Sequence, residues 1–129
     1  MLKDEIIDIL DLMIESIHLV QERFSEIHRP DDFVLSPKGL TLLDAISMRL
    51  QVLGRSVKRI EKMDSSFLKQ YDKIEWDKIA KFRDLVSHHY EQVDHEIVFD
   101  ICNTHIPVLN EEVLDMRTSL SIIETPDTK

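Results

Sequence analysis

A chain of 129 residues is long enough for one hydrophobic core and too short for two. Two glycines and four prolines against 43% hydrophobic and 32% charged residues exclude a turn-rich β fold and suit helices with apolar stripes and solvated faces. The net charge of −9 argues against broad, non-specific nucleic-acid binding, which depends on Lys and Arg neutralising phosphates.

From Leu2 to about Ile27, the residues Ile6, Leu10, Met13, Ile14, Ile17, Val20, Phe24 and Ile27 recur at intervals of three and four, predicting an amphipathic helix that Arg29-Pro30-Asp31-Asp32 ends. A second helix opens at Ser36, whose hydroxyl can cap free amides, and Pro37, where a missing N–H costs nothing. It should run to about Met63 with Leu42, Leu43, Ile46, Leu50, Leu53, Val57 and Ile60 as its stripe. Gly54 stands among them despite a cost of about 1 kcal/mol for glycine in a helix, which a close-approaching neighbour would explain. A short segment with Phe67, Leu68 and Tyr71 follows, then a helix from about Glu75 through Val86 carrying Trp76, Ile79, Phe82, Leu85 and Val86. Asp94 can cap the last long helix, with Ile97, Val98, Ile101, Ile106, Leu109, Val113, Leu114 and Met116 as its stripe and Pro107 as a kink or break. The expected fold is an all-α, up-and-down bundle of four main helices plus a short helix. It forms one domain over residues 1–123, with a disordered tail over 124–129.

The charge is unevenly spread. Residues 1–32 hold three basic and nine acidic side chains, residues 33–90 eleven and seven, and residues 91–129 two and nine, giving −6, +4 and −7. In the basic middle, Arg49, Arg55, Lys58, Arg59 and Lys62 face only Glu61, and Arg55, Arg59 and Lys62 share a helical face; a solvated surface accounts for them on their own. No run approaches about 18 uninterrupted apolar residues, so no membrane span is expected. The single cysteine, Cys102, cannot form an intramolecular disulfide, and the N-terminus lacks a signal-peptide pattern, so a reducing cytoplasm is the expected location. Cys102 reads as a small core residue.

One segment goes beyond a generic bundle: Arg83-Asp84-Leu85-Val86-Ser87-His88-His89-Tyr90. It resembles the signature of HepT-type HEPN domains, which is Arg, four residues, His, one residue, Tyr. The resemblance extends to Leu53-Gly54, to Trp76 ahead of Phe82-Arg83, and to Val93-Asp94-His95-Glu96-Ile97-Val98 leading into a helix with Pro107. It covers roughly the last two thirds of the chain. The family often carries Asn and Glu around the second-helix glycine, where this chain has Arg49 and Arg55.

The resemblance implies a HEPN-like fold and a metal-independent endoribonuclease toxin. In it His88 moves protons at the ribose 2′-hydroxyl or the leaving oxygen, and Arg83 stabilises phosphoryl charge. Asp84, four residues before His88, can orient that imidazole, and His89 is a further supporting candidate. The implied partners are a second copy of the chain or a higher oligomer, RNA as substrate, and an MntA-like nucleotidyltransferase antitoxin that transfers AMP from ATP to Tyr90. The alternative is a non-catalytic partner subunit of such a nucleotidyltransferase. No cofactor is implied. No metal is expected either, because His89 and His95 lie near His88 without HExxH or Cys/His ligand spacing.

The residues also admit plainer roles: His88 as a helix C-terminal cap, Arg83 as a surface ion-pair partner, Tyr90 as a core residue with its hydroxyl at the rim. His18, His28 and His105 fit surface or packing roles. Geometry adds a constraint, because five residues of ideal helix turn through about 500° and leave Arg83 and His88 about 140° apart. They converge only if the helix unwinds near Ser87–Tyr90 or two copies of the motif meet across a symmetric dimer.

Overall fold

The computed structural model describes residues 2–87 and 93–124, without the side chains of residues 83, 85–87 and 122–124. Helix α1 spans Leu2–Phe24, α2 Pro37–Met63, α3 Ser65–Lys69, α4 Trp76–Ser87, α5 His95–Asp100 and α6 Ile106–Glu124. A 3-10 turn, Pro30–Phe33, precedes α2, and a π turn, Ile101–His105, joins α5 to α6 into one continuous helical rod. The result is the expected all-α bundle: α1, α2, α4 and the α5–α6 rod as four main helices, with α3 as the short one. Helix α2 packs on α1 and on α4, and α1 packs on α6. Their buried apolar side chains join in one cluster with Leu10, Met13, Ile17, Ile46, Leu50, Leu53, Ile106, Leu109 and Met116 at its centre.

Helix α1 stops at Phe24, three residues before the predicted end, although Ile27 is buried. Proline disfavours the helical region for the residue before it, and Arg29 is extended at φ −152° and ψ 160°. The freed amides of His28 and Arg29 donate to the Asp32 carboxylate at 2.8 and 3.2 Å. These bonds, that of His28 first, hold the Asp32 carboxyl below its ordinary value of 3.8. A carboxyl depressed by folding contributes stability above its unfolded value and loses it as the pH falls through the folded value. Asp32→Asn should therefore lower the melting temperature at neutral pH, and the gap to the parent should close in acid. A gap of constant size across the acid limb would contradict that role.

Helix α2 begins as its sequence demands: Ser36 Oγ accepts from the Gly39 amide at 3.0 Å, and Pro37 fills the first turn. Asp94 caps α5 by accepting from the amides of Glu96 and Ile97 at 2.9 and 3.2 Å. At Pro107 the regular helix is interrupted, as expected of a proline there, and the interruption takes the form of a π turn. Proline offers no N–H and crowds the carbonyl four residues back, and the chain meets this by widening the preceding turn, where Ile106 N–H bonds to the Ile101 carbonyl. Ile101 and Ile106 are both buried at a spacing of five, which a regular helix would turn about 140° out of phase. The π turn absorbs that mismatch. Two members of the predicted stripe, Ile97 and Leu114, are exposed instead.

Candidate active site

The motif begins on α4. Trp76 anchors the start of this helix, buried and donating Nε1–H to the Tyr71 carbonyl at 2.9 Å. Ile79, Ala80 and Phe82 hold its inner face in the core, and the Phe82 ring meets His105 of the π turn at 6.3 Å between centroids, edge to face. Position 83 follows buried Ile79 and Ala80 by four and three residues, which carries its backbone on the face that packs on α2. Asp84 is exposed. His88, His89 and Tyr90, with the side chain of Arg83, lie outside the described residues, so the expected convergence of Arg83 and His88 rests on sequence.

Helix α4 starts beside the C-terminal end of α2, as a shared cleft of about 660 Å3 between Glu61, Leu68, Lys69, Trp76 and Lys78 shows. From there it runs back along α2. Position 83 is seven residues, about 10 Å, from Trp76, which sets it near the level of Gly54 and Arg55. The cleft therefore lies at the end of α4 away from the motif.

The two arginines that depart from the family's pattern have different surroundings. Arg49 is half-buried with Nη1 3.3 Å from the hydroxyl of buried Ser16 on α1, a contact that ties the two helices together. Arg55 is exposed on the outer face of α2.

Among the other candidates, Cys102 is buried, and burial pushes its thiol up to about 12. It is a neutral core residue at neutral pH and no nucleophile. His95 lies 3.7 Å from Asp31, and His105 3.8 Å from Asp100. His18 and His28 are exposed. Among the described residues, no group of three or more His, Cys, Asp or Glu side chains could hold a metal ion, and no helix is long and apolar enough to cross a membrane. The π turn beside α4 went unforeseen, although the five-residue interval between Ile101 and Ile106 followed by Pro107 carried its signal.

Residues 13–116 match the family model described as HepT-like, ribonuclease HepT-like. The chain belongs to the HepT-like ribonuclease family. It is 30% identical over 111 residues to the "Gamma-glutamylcyclotransferase and putative RNase MJ0434" of Methanocaldococcus jannaschii, covering 86% of this chain and 47% of that one. It is 32% identical over 83 residues to "Putative RNase MJ0127" of the same organism, covering 64% of each. It is also 30% identical over 104 residues to "Putative RNase TTE0752" of Caldanaerobacter subterraneus subsp. tengcongensis, covering 77% of this chain and 88% of that one. This HepT-like chain thus spans about half the length of the first relative and somewhat less than two thirds of the second. No solved structure matches it significantly. The family match extends beyond the motif into α1 and covers both arginines that differ from the family's usual residues.

Proposed function

We propose that this HepT-like chain is a metal-independent endoribonuclease and the toxin of a HEPN–nucleotidyltransferase pair. The observation that carries the reading is the family match over residues 13–116, within which Arg83, His88 and Tyr90 stand at the family's motif spacing. His88 takes the proton of a ribose 2′-hydroxyl, and the freed oxygen attacks the adjacent phosphorus. The bond to the 5′-oxygen breaks, that oxygen takes a proton, and the products are a cyclic phosphate and a 5′-hydroxyl. Arg83 holds the non-bridging oxygens through its planar fork. Asp84 orients the His88 imidazole, with His89 in support.

A homodimer brings two motifs together where a straight helix cannot join Arg83 to His88. Apolar side chains in and before the first half of α2, Leu35 (67% exposed), Leu40 (46%) and Met48 (60%), are consistent with a covering second copy. The partner is an MntA-like nucleotidyltransferase that transfers AMP to Tyr90. The phenol oxygen bonds to the α-phosphorus of ATP, pyrophosphate leaves, the phenolic proton is released, and the added phosphate charge closes the cleft to RNA. With partner and α-labelled ATP, wild-type protein should take up label and Tyr90→Phe should not; equal labelling of both would remove Tyr90 as acceptor. The reading places the protein in the cytoplasm.

A second reading, a non-catalytic partner subunit of the nucleotidyltransferase, is favoured by the net charge of −9. Purified protein incubated with total RNA in EDTA separates the two. Fragmentation supports the ribonuclease; intact RNA in the presence of folded protein supports the partner subunit.

A further inference from the structure

Among the described residues, five Lys and Arg side chains stand within 4 Å of a carboxylate: Arg29 of Asp32, Lys38 of Glu26, Lys73 of Glu112, Lys78 of Glu75 and Arg117 of Asp11. In the second half of α2, four cations without such a partner stand together. Arg55, Lys58, Arg59 and Lys62 are all exposed, and among the described residues none of the four has a carboxylate partner. At 100° per residue they fall within an arc of about 100° and along about 10 Å of helix. Four like charges held this close repel one another, and a chain with a net charge of −9 has carboxylates to spare for pairing them.

The ridge also lies beside the motif helix. Ala45 and Arg49 give the side of α2 that meets α1, through Arg23 and Ser16. Helix α4, running back along α2 from Glu61, fits the other buried side, that of Leu50 and Gly54. On the helical wheel Lys58 is about 40° from Gly54 and Lys62 about 80°, so the ridge borders the groove between α2 and α4, with Arg55 near the level of position 83.

We infer that Arg55, Lys58, Arg59 and Lys62 form a phosphate-tracking ridge that binds the backbone of single-stranded RNA and leads it to the motif, an inference that rests on the ribonuclease reading above. The ridge is charged throughout and has no apolar member. A protein partner would need an apolar core, and protein interfaces are depleted of lysine, whereas a polyanion backbone needs a row of cations and nothing else. The exposed apolar residues of α2, Leu40 and Met48, lie in its first half, on the same face but before the ridge begins.

The test uses wild-type protein and a single-stranded 2′-O-methyl oligonucleotide of about twelve nucleotides, which cannot be cut through its 2′-oxygen. With four phosphates neutralised, the logarithm of affinity should fall with that of salt at a slope of about −2.8. This is an approximately 50-fold loss between 50 and 200 mM salt. Replacing all four ridge residues with Gln should weaken binding by about tenfold or more at the lower salt and flatten the slope. Because the four side chains are exposed and have no carboxylate partner among the described residues, the fold should survive, as circular dichroism can verify. Gln at Arg29, Lys38 and Lys78, which removes cations already paired, should leave the slope nearly unchanged.

Equal affinity and slope for the ridge variant, with unmodified RNA still cleaved, would overturn the ridge and leave the ribonuclease reading standing. A ridge variant that loses self-association while keeping RNA affinity would also overturn it, assigning the cations to acidic helices of another copy. Failure of wild-type protein both to bind the oligonucleotide and to cut RNA would overturn both.

Discussion

His88→Ala should lower the rate of RNA cleavage by about 10^2- to 10^4-fold, the usual share of a positioned acid–base group, while leaving the protein folded. The 2′-hydroxyl is a poor nucleophile until its proton is removed, and imidazole is the side chain whose unperturbed titration falls near neutral pH. Arg83→Ala should cost about 10^2-fold or more, because the charge that builds on the phosphoryl oxygens then lacks its fork of donors. If the two act on one transition state, as proposed, Arg83→Ala combined with His88→Ala should be little worse than His88→Ala alone. Fully additive losses would place the residues in separate roles. Full activity in His88→Ala would remove it from the chemistry.

The second large effect concerns stability. Gly39→Ala should cost about 3 kcal/mol or more, lowering the melting temperature by about 10 °C. Gly39 sits in the first turn of α2, where its amide bonds to Ser36 Oγ, and the 3-10 turn lies directly against it. A Cβ there would fall inside the contact distance of the Asp32 carbonyl oxygen and 2.9 Å from that of Phe33. Both obstacles are backbone atoms, so no rotamer change gives relief, and Phe33 is fully buried and cannot swing away. No glycine here has a positive φ, so the requirement is for space and not for backbone freedom. Thermal unfolding of Gly39→Ala within about 0.5 kcal/mol of the parent would show that the turn yields, as substitutions away from such features do.

The helices were legible because their signals are local. Ser36-Pro37, Asp94 and the apolar stripes of α1, α2 and α4 depend on capping chemistry and a 3.6-residue period, both written within a few residues. What escaped depends on residues meeting across the fold. Gly39 went unremarked because its neighbour is a turn that only tertiary packing brings close. Helix α1 ends at Phe24 and not Ile27, in turn bonds from the Glu26 and Ile27 amides to the Arg23 and Phe24 carbonyls ahead of the extended Arg29. The π turn was hidden because a three-and-four stripe was fitted across an interval of five. At the site, motif spacing named Arg83, His88 and Tyr90. What spacing cannot supply is their mutual distance, which depends on the course of the chain past Ser87 and on any second copy.

The chemistry of the fragment ends tests the central claim most directly. Wild-type protein and His88→Ala are incubated with total RNA in EDTA, and the termini are analysed. The account predicts 2′,3′-cyclic phosphates and 5′-hydroxyls from the wild type alone. Ends bearing 3′-hydroxyl and 5′-phosphate, or cleavage that disappears with chelation, would contradict it.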